Sequence, residues 1–166
     1  MTDPLLITGG LVLAGTPPAP RRADILVRAG RIEAIEPCGT IDAGAGRRVD
    51  AADRMIVPGL VNGHTHGHGA LAKGQVGDRA PLEVFLTAAG GYGGNRTRDD
   101  KRLTAELTAV ELVRRGCTTA LDMFGEYPVP SPEGMGAVAD AYEGVGMRAV
   151  IAPMMADTTL FRAIPG

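Results

Sequence analysis

All three histidines of the chain, His64, His66 and His68, sit at alternate positions of one stretch, MIVPGLVNGHTHGHGALAKG, from Met55 to Gly74. In a β-strand, residues i and i+2 face the same way with Cα atoms about 6–7 Å apart, so His64 and His66 aim at one point while Thr65 faces away. Neutral imidazole is a ligand for zinc or iron, and metal–nitrogen bonds of about 2.0–2.1 Å suit such convergence. Gly63 and Gly67 remove side chains on either side and leave room for a ligand or substrate. His68 lies past the expected strand end, where a period of two need not persist, so it is assigned to substrate or to an outer contact rather than to the metal. The competing description is a polar turn whose histidines are satisfied by backbone or water.

The elements that would position these residues change character at Pro58. The first 57 residues read as β-structure without helix. LLITGGLVLAG is one strand region, and Ile25-Leu26-Val27 and Arg31 to Ile35 flank RAG as a hairpin. RRVDA follows the glycine-rich GTIDAGAG as a further short strand. Beyond Pro58, GLVNGHTH reads as a buried strand. RDDKRLTAELTAVELVRRG reads as a helix, with Thr97 or Asp99 as cap and with Leu103, Leu107, Val110 and Val113 on its apolar stripe. The stretch between these two reads as a long loop carrying Gln75 and Tyr92, both candidate substrate contacts. CTTALDM is the next strand, with Asp122 placed after it as a candidate substrate contact and Glu126 beyond. SPEGMGAVADAYEGVG is a helix capped by Ser131, with Pro132 at its first position and Met135, Val138 and Tyr142 on one face. MRAVIAPMM is a third buried strand, followed by Asp157. Strand, helix, strand, helix, strand is the pattern of parallel βαβ units.

Composition excludes several function classes. Lys+Arg 17 against Asp+Glu 19, with 4% aromatic residues, leaves neither a basic phosphate-tracking face nor a base-stacking platform, so nucleic acid is not an expected partner. No apolar run approaches the ~20 residues of a membrane span, and MTDPLLITGG lacks the pattern of a signal peptide, so no membrane contact and a cytoplasmic location are expected. Cys38 and Cys117 are far apart and match neither a disulfide framework nor a CxxC metal knuckle; both are expected to be reduced.

The stretch from Met55 to Gly74 resembles the first barrel strand of the amidohydrolase superfamily, whose members read roughly P-G-[LF]-[IV]-[DN]-x-H-x-H. The β-rich lead resembles the first part of the small β-sandwich of those enzymes. RRGCTTALDMF resembles their second barrel strand with its preceding helix, and GVGMRAVIAPMM their third. Asn62 in place of aspartate, and Leu71-Ala72-Lys73-Gly74 where the pattern has L-x-R-G, resemble the cytosine-deaminase and chlorohydrolase-like branch, with the lysine a departure. The resemblance implies an α/β fold: part of a β-sandwich over residues 1–57, then the first three or so βα units of a (β/α)₈ TIM-like barrel over 58–166. It implies His64 and His66 as two ligands of a divalent metal, zinc or alternatively iron. It also implies a hydrolase acting on C–N bonds other than peptide bonds, deaminating a nitrogen heterocycle. A homo-oligomer is expected for the full-length protein.

A barrel of this kind takes about 250 residues, and roughly 110 follow Pro58, too few to close it. The resemblance places the remaining ligands and the catalytic acid/base on later strands, downstream of residue 166. The missing barrel segment, in the same or a second chain, is therefore an expected partner, and the 166-residue chain by itself is expected to be inactive. Two alternatives stay open at this point. One is a non-catalytic fragment or binding remnant; the other is a binuclear, cyclic-amidase-like amidohydrolase.

Overall fold

A computed structural model describes residues 3–42, 44–75 and 77–158 of the chain. The chain divides at Pro58 into two compact units, Met1–Pro58 and Gly59–Gly166.

The first unit is a five-stranded sheet in the order β3-β2-β1-β4, with β5 also paired to β1. Its strands are β1 (Leu5–Ala14), β2 (Ala19–Arg28), β3 (Arg31–Glu36), β4 (Arg47–Asp50) and β5 (Met55–Ile56). β2 and β3 form the expected hairpin, and its two turn residues, Ala29 and Gly30, both have positive φ (47° and 74°). A two-residue turn of that kind matches the right-handed twist of the strands it joins. β1 pairs in parallel with β4 through Leu5–Thr8 and with β5 through Leu11 and Val12; its register with β2 shifts between Ile7 and Gly10. Asp24 is buried at that shift, where its carboxylate accepts the Gly9 N–H (2.8 Å) and the Gly39 N–H (2.7 Å).

The second unit contains β6 (Leu60–Thr65), a 3-10 helix (Gly67–Ala72), α1 (Leu82–Gly93), α2 (Arg98–Arg114), β7 (Cys117–Phe124), α3 (Pro132–Val145) and β8 (Arg148–Pro153). β6, β7 and β8 are adjacent and parallel in one sheet, as the strand–helix rhythm predicts. Thr97 caps α2 through a capping box with Asp100, and Ser131 caps α3 by accepting the Gly134 N–H at 3.0 Å, with Pro132 opening the helix. Ala120 and Phe124 of β7 pack with Ala105 and Ala109 of α2 and with Val138, Ala141 and Tyr142 of α3.

Four expectations are corrected here. The α2 stripe of Leu103, Leu107, Val110 and Val113 is 36–49% exposed, whereas Thr104, Ala105, Thr108 and Ala109 are buried. Small residues let α2 approach β7 closely, so the helix seats its less apolar face and turns its larger side chains outward. The stretch holding Tyr92 is helix, not loop, despite adjacent Gly90 and Gly91, each of which costs about 1 kcal/mol relative to alanine in a helix. Neither β6 nor β8 is buried: Leu60 and Val61 of β6 and Val150 of β8 are exposed, each strand being paired along one edge among the described residues. Asp122 lies within β7 rather than after it, and the alternation of the strand turns it into the core with Ala120 and Phe124. Cys38 and Cys117 are both free thiols. No helix among the described residues is long and apolar enough to cross a membrane.

Candidate metal centre

His64 stands near the end of β6 and His66 just beyond it. The register with β7 shifts between Asn62 and Thr65, and the Asn62 side-chain oxygen accepts the His64 backbone N–H at 3.0 Å. The His64 and His66 rings lie at 84° to each other, with their Nε2 atoms 3.2 Å apart. The Nδ1 of His66 is 3.0 Å from the carbonyl oxygen of Met123 on β7. A carbonyl only accepts, so this bond fixes the His66 proton on Nδ1 and leaves the Nε2 lone pair directed at His64.

This arrangement fits a divalent cation. Two ligands about 2.05 Å from a common ion and 3.2 Å from each other subtend about 100° at it, close to a tetrahedral angle. Without an ion, the same separation is spanned by a proton carried on His64 Nε2. Among the described residues, no three His, Cys, Asp or Glu side chains are grouped so as to hold a metal ion. The structure brings His64 and His66 together.

His68 is turned another way. It lies in the 3-10 helix, and its Nδ1 accepts the Gly125 N–H at 2.9 Å. Its ring packs edge-on against Phe124 and His66. Burial first, then unfavourable electrostatics from the neighbouring His66 ring and the Arg96 guanidinium, push its pKa down to about 4, so His68 is neutral near pH 7. Arg96 also donates to the His68 carbonyl. Gln75 follows the 3-10 helix, and its carbonyl accepts the Tyr92 hydroxyl of α1 at 3.3 Å. Asp157 is exposed in a bend after β8.

Asp122 is fully buried and accepts from the Gly67 N–H (2.8 Å) and the Tyr142 hydroxyl (2.9 Å). Burial holds its carboxyl above the usual aspartate range despite those two bonds, and burial beside Asp122 holds the Tyr142 phenol well above its ordinary value. Glu126 is also buried; it pairs with Lys101 and accepts from the Ser131 N–H and hydroxyl, both at 2.8 Å. Sequence reasoning passed over Thr104 and Thr108, whose hydroxyls reach the Gly67 carbonyl at 3.0 and 3.2 Å. Their one signal is two threonines four apart on a helix otherwise read for its leucines.

The sequence profile described as the amidohydrolase family matches residues 55–163, from just before β6 past the end of β8. The chain belongs to the amidohydrolase family. It is 39% identical over 150 residues to a 5-methylthioadenosine/S-adenosylhomocysteine deaminase from Haloarcula marismortui, covering 89% of this chain and 32% of that protein. A protein of the same name from Symbiobacterium thermophilum is 34% identical over 151 residues, covering 89% and 33%. Among solved structures, an adenosine deaminase from Xanthomonas campestris with bound zinc superposes with a TM-score of 0.74 at 27% identity, over 90% of this chain and 33% of that one. An atrazine chlorohydrolase from Arthrobacter aurescens, in complex with zinc, gives 0.79 at 23% identity over 90% and 35%, a likeness of fold. The chain spans about a third of the length of the curated relatives it matches.

Proposed function

We propose that this chain is the leading part of a metal-dependent hydrolase that deaminates a nitrogen heterocycle, with His64 and His66 as two of the metal ligands. In this reading the first unit is part of a β-sandwich. The second comprises the first three βα units of a (β/α)₈ barrel, whose strands end where the histidines lie. The observation that carries the proposal is the 3.2 Å approach of the two Nε2 atoms, with the His66 proton held on the opposite ring nitrogen by Met123. Zinc is the proposed ion, since the adenosine deaminase and the atrazine chlorohydrolase were both solved with it. The relatives' names point to an adenine nucleoside or thioether derivative as substrate, with the exocyclic amine as leaving group.

A divalent cation held in part by His64 and His66 would supply the Lewis acidity that hydrolytic loss of an exocyclic amine as ammonia calls for. The residues of this chain contribute orientation. Met123 fixes the His66 tautomer, Asn62 fixes the backbone at His64, and His68 supports the His66 ring as a neutral neighbour. Tyr92 and Gln75, joined by a hydrogen bond, stay in the proposal as substrate contacts; Asp122 leaves it, being enclosed in the core. A catalytic zinc site keeps at least three protein ligands, so turnover requires donors beyond these two, from a further barrel segment of the same or a second chain. The active assembly is proposed to be a homo-oligomer.

The test is metal content together with ammonia release from adenosine and 5-methylthioadenosine. In the active protein, His64→Ala and His66→Ala each lose metal and activity together, while His68→Ala keeps its metal. The 166-residue chain alone releases no ammonia. Full zinc occupancy in His64→Ala or His66→Ala sinks the assignment.

A further inference from the structure

Three buried polar side chains from two elements converge on one backbone position, the glycine that follows His66, and a fourth, from α3, holds one of the three. The Gly67 N–H donates to Asp122 Oδ1 of β7 at 2.8 Å. Its carbonyl accepts from Thr104 Oγ1 of α2 at 3.0 Å, with Thr108 Oγ1 at 3.2 Å sharing its proton with the Thr104 carbonyl. The second Asp122 oxygen accepts from Tyr142 of α3 at 2.9 Å. None of the four side chains is more than 8% exposed. A Cβ at position 67 would stand 2.3 Å from Asp122 Oδ2, so no side chain fits there while the cluster is in place.

Such a cluster is costly to build. Each buried polar group loses its hydration, and well-packed apolar residues of the same shape would hold the helices to the sheet about as well. The cluster does something apolar packing does not: it fixes the two peptide planes that meet at Gly67. The first of these, held through its N–H by Asp122, is the peptide that joins His66 to Gly67. The His66 ring is held by the carbonyl of Met123, the residue after Asp122. Two consecutive residues of β7 thus hold the backbone on one side of His66 and its imidazole.

We propose that Asp122, with Thr104, Thr108 and Tyr142, forms a positioning cluster for the candidate metal centre: it sets the backbone after His66 so that the two Nε2 atoms meet at a metal-binding separation. This rests on the reading of His64 and His66 as ligands. Through Thr104, Thr108 and Tyr142 the cluster also ties the placement of α2 and α3 to that of the second ligand.

The experiment compares Asp122→Asn, Asp122→Leu, the double variant Thr104→Val/Thr108→Val, and His66→Ala in the metal-loaded protein. Zinc affinity is read by chelator competition and ligand geometry by the visible spectrum of the cobalt-substituted protein, with circular dichroism to establish folding. Asn keeps an acceptor for Gly67 and a polar partner for Tyr142, so Asp122→Asn is expected to retain affinity and the parent cobalt spectrum. Asp122→Leu and the double valine variant are expected to lose about tenfold in zinc affinity, the lower end of the range for residues that orient ligands, with a changed spectrum. His66→Ala should lose the metal outright. If His66→Ala binds zinc like the parent, the ligand assignment falls and this inference with it. If His66→Ala loses zinc but folded Asp122→Leu and double valine variants match the parent in affinity and spectrum, the positioning role alone is overturned. Asp122→Asn as weak as Asp122→Leu overturns it too, because charge rather than the bond to Gly67 would then be acting. Should Asp122→Leu fail to fold, the double valine variant decides, since it removes two hydroxyls at nearly constant volume.

Discussion

Replacing Glu126 by glutamine should be far more damaging than its position in a connecting loop suggests. The Glu126 side chain is 4% exposed and that of its partner Lys101 16%. The carboxylate ties the middle of the unit together: it pairs with α2 through Lys101 and accepts two bonds from Ser131, the cap of α3. Glutamine has one acceptor oxygen where the carboxylate has two, so it turns an N–H donor toward either the ammonium or the Ser131 N–H, and in both orientations it leaves the Lys101 charge uncompensated. Removing one partner of a buried pair costs about 3–5 kcal/mol. Lys101 retains some access to water and can partly swing out, so about 2–3 kcal/mol is expected here. For a unit of roughly 100 residues that lowers the thermal midpoint by about 8–20 °C.

The assay is a double-mutant cycle of Lys101→Met, Glu126→Gln and both together, followed by urea denaturation. The double variant should recover part of the loss, because no unpaired charge remains. The pH dependence has a definite sign. Burial raises the Glu126 pKa, but the Lys101 and Ser131 interactions outweigh it and leave the carboxyl below its ordinary value of 4.5. A depressed folded-state pKa adds stability that is present above the unfolded value and lost as pH falls through the folded one. The advantage of the parent over Glu126→Gln should therefore be level from about pH 6 to 8 and shrink below about pH 4.5. A coupling energy under about 0.5 kcal/mol, or a pH-independent difference down to pH 3, would refute the account.

Two further outcomes follow from the packing. Leu103→Ser/Leu107→Ser should change the unfolding free energy from urea denaturation by less than about 1 kcal/mol, because both residues face outward, while reducing self-association in sedimentation; a loss above about 2 kcal/mol would mean the outward face is packed in solution. Ser131→Ala should cost about 1–2 kcal/mol, more than Thr97→Ala, since Ser131 both caps α3 and bonds Glu126 whereas Thr97 serves only its own helix; equal losses in urea denaturation would contradict the added role of Glu126.

Element types were legible in the sequence wherever a local rule decides them. The β2–β3 hairpin followed from two strand-like runs and a glycine turn, and α3 from Ser131-Pro132 at its start. Facing was less legible. The leucine stripe of α2 has a clean helical period, but period shows only that one face is more apolar, not which face meets the sheet. Here the polar requirements of Gly67 and the close approach allowed by Ala105 and Ala109 decide, and both depend on residues more than 35 positions away from the glycine. The helix through Tyr92 escaped notice for a different reason: adjacent glycines argued against it, and its apolar residues remain largely exposed.

At the candidate centre two rings expected to converge do so, but not for the reason the period of two supplies. The period of two was enough to select His64 and His66, yet His66 lies past the last residue of β6 and the register shifts just before it. A regular pleat is thus not what brings the rings together. The Asn62 side chain reshapes the strand end, the Met123 carbonyl turns the His66 ring, and the cluster around Gly67 fixes the two peptides that join His66 to His68. The same cluster explains why His68 does not join the pair. With the Gly67 peptide clamped into the core, the chain enters a 3-10 helix and carries His68 toward Phe124 and Gly125. The alternation of histidines in the sequence therefore yields two converging rings and one diverging ring, and the divergence begins at a glycine whose neighbours are set by β7, α2 and α3.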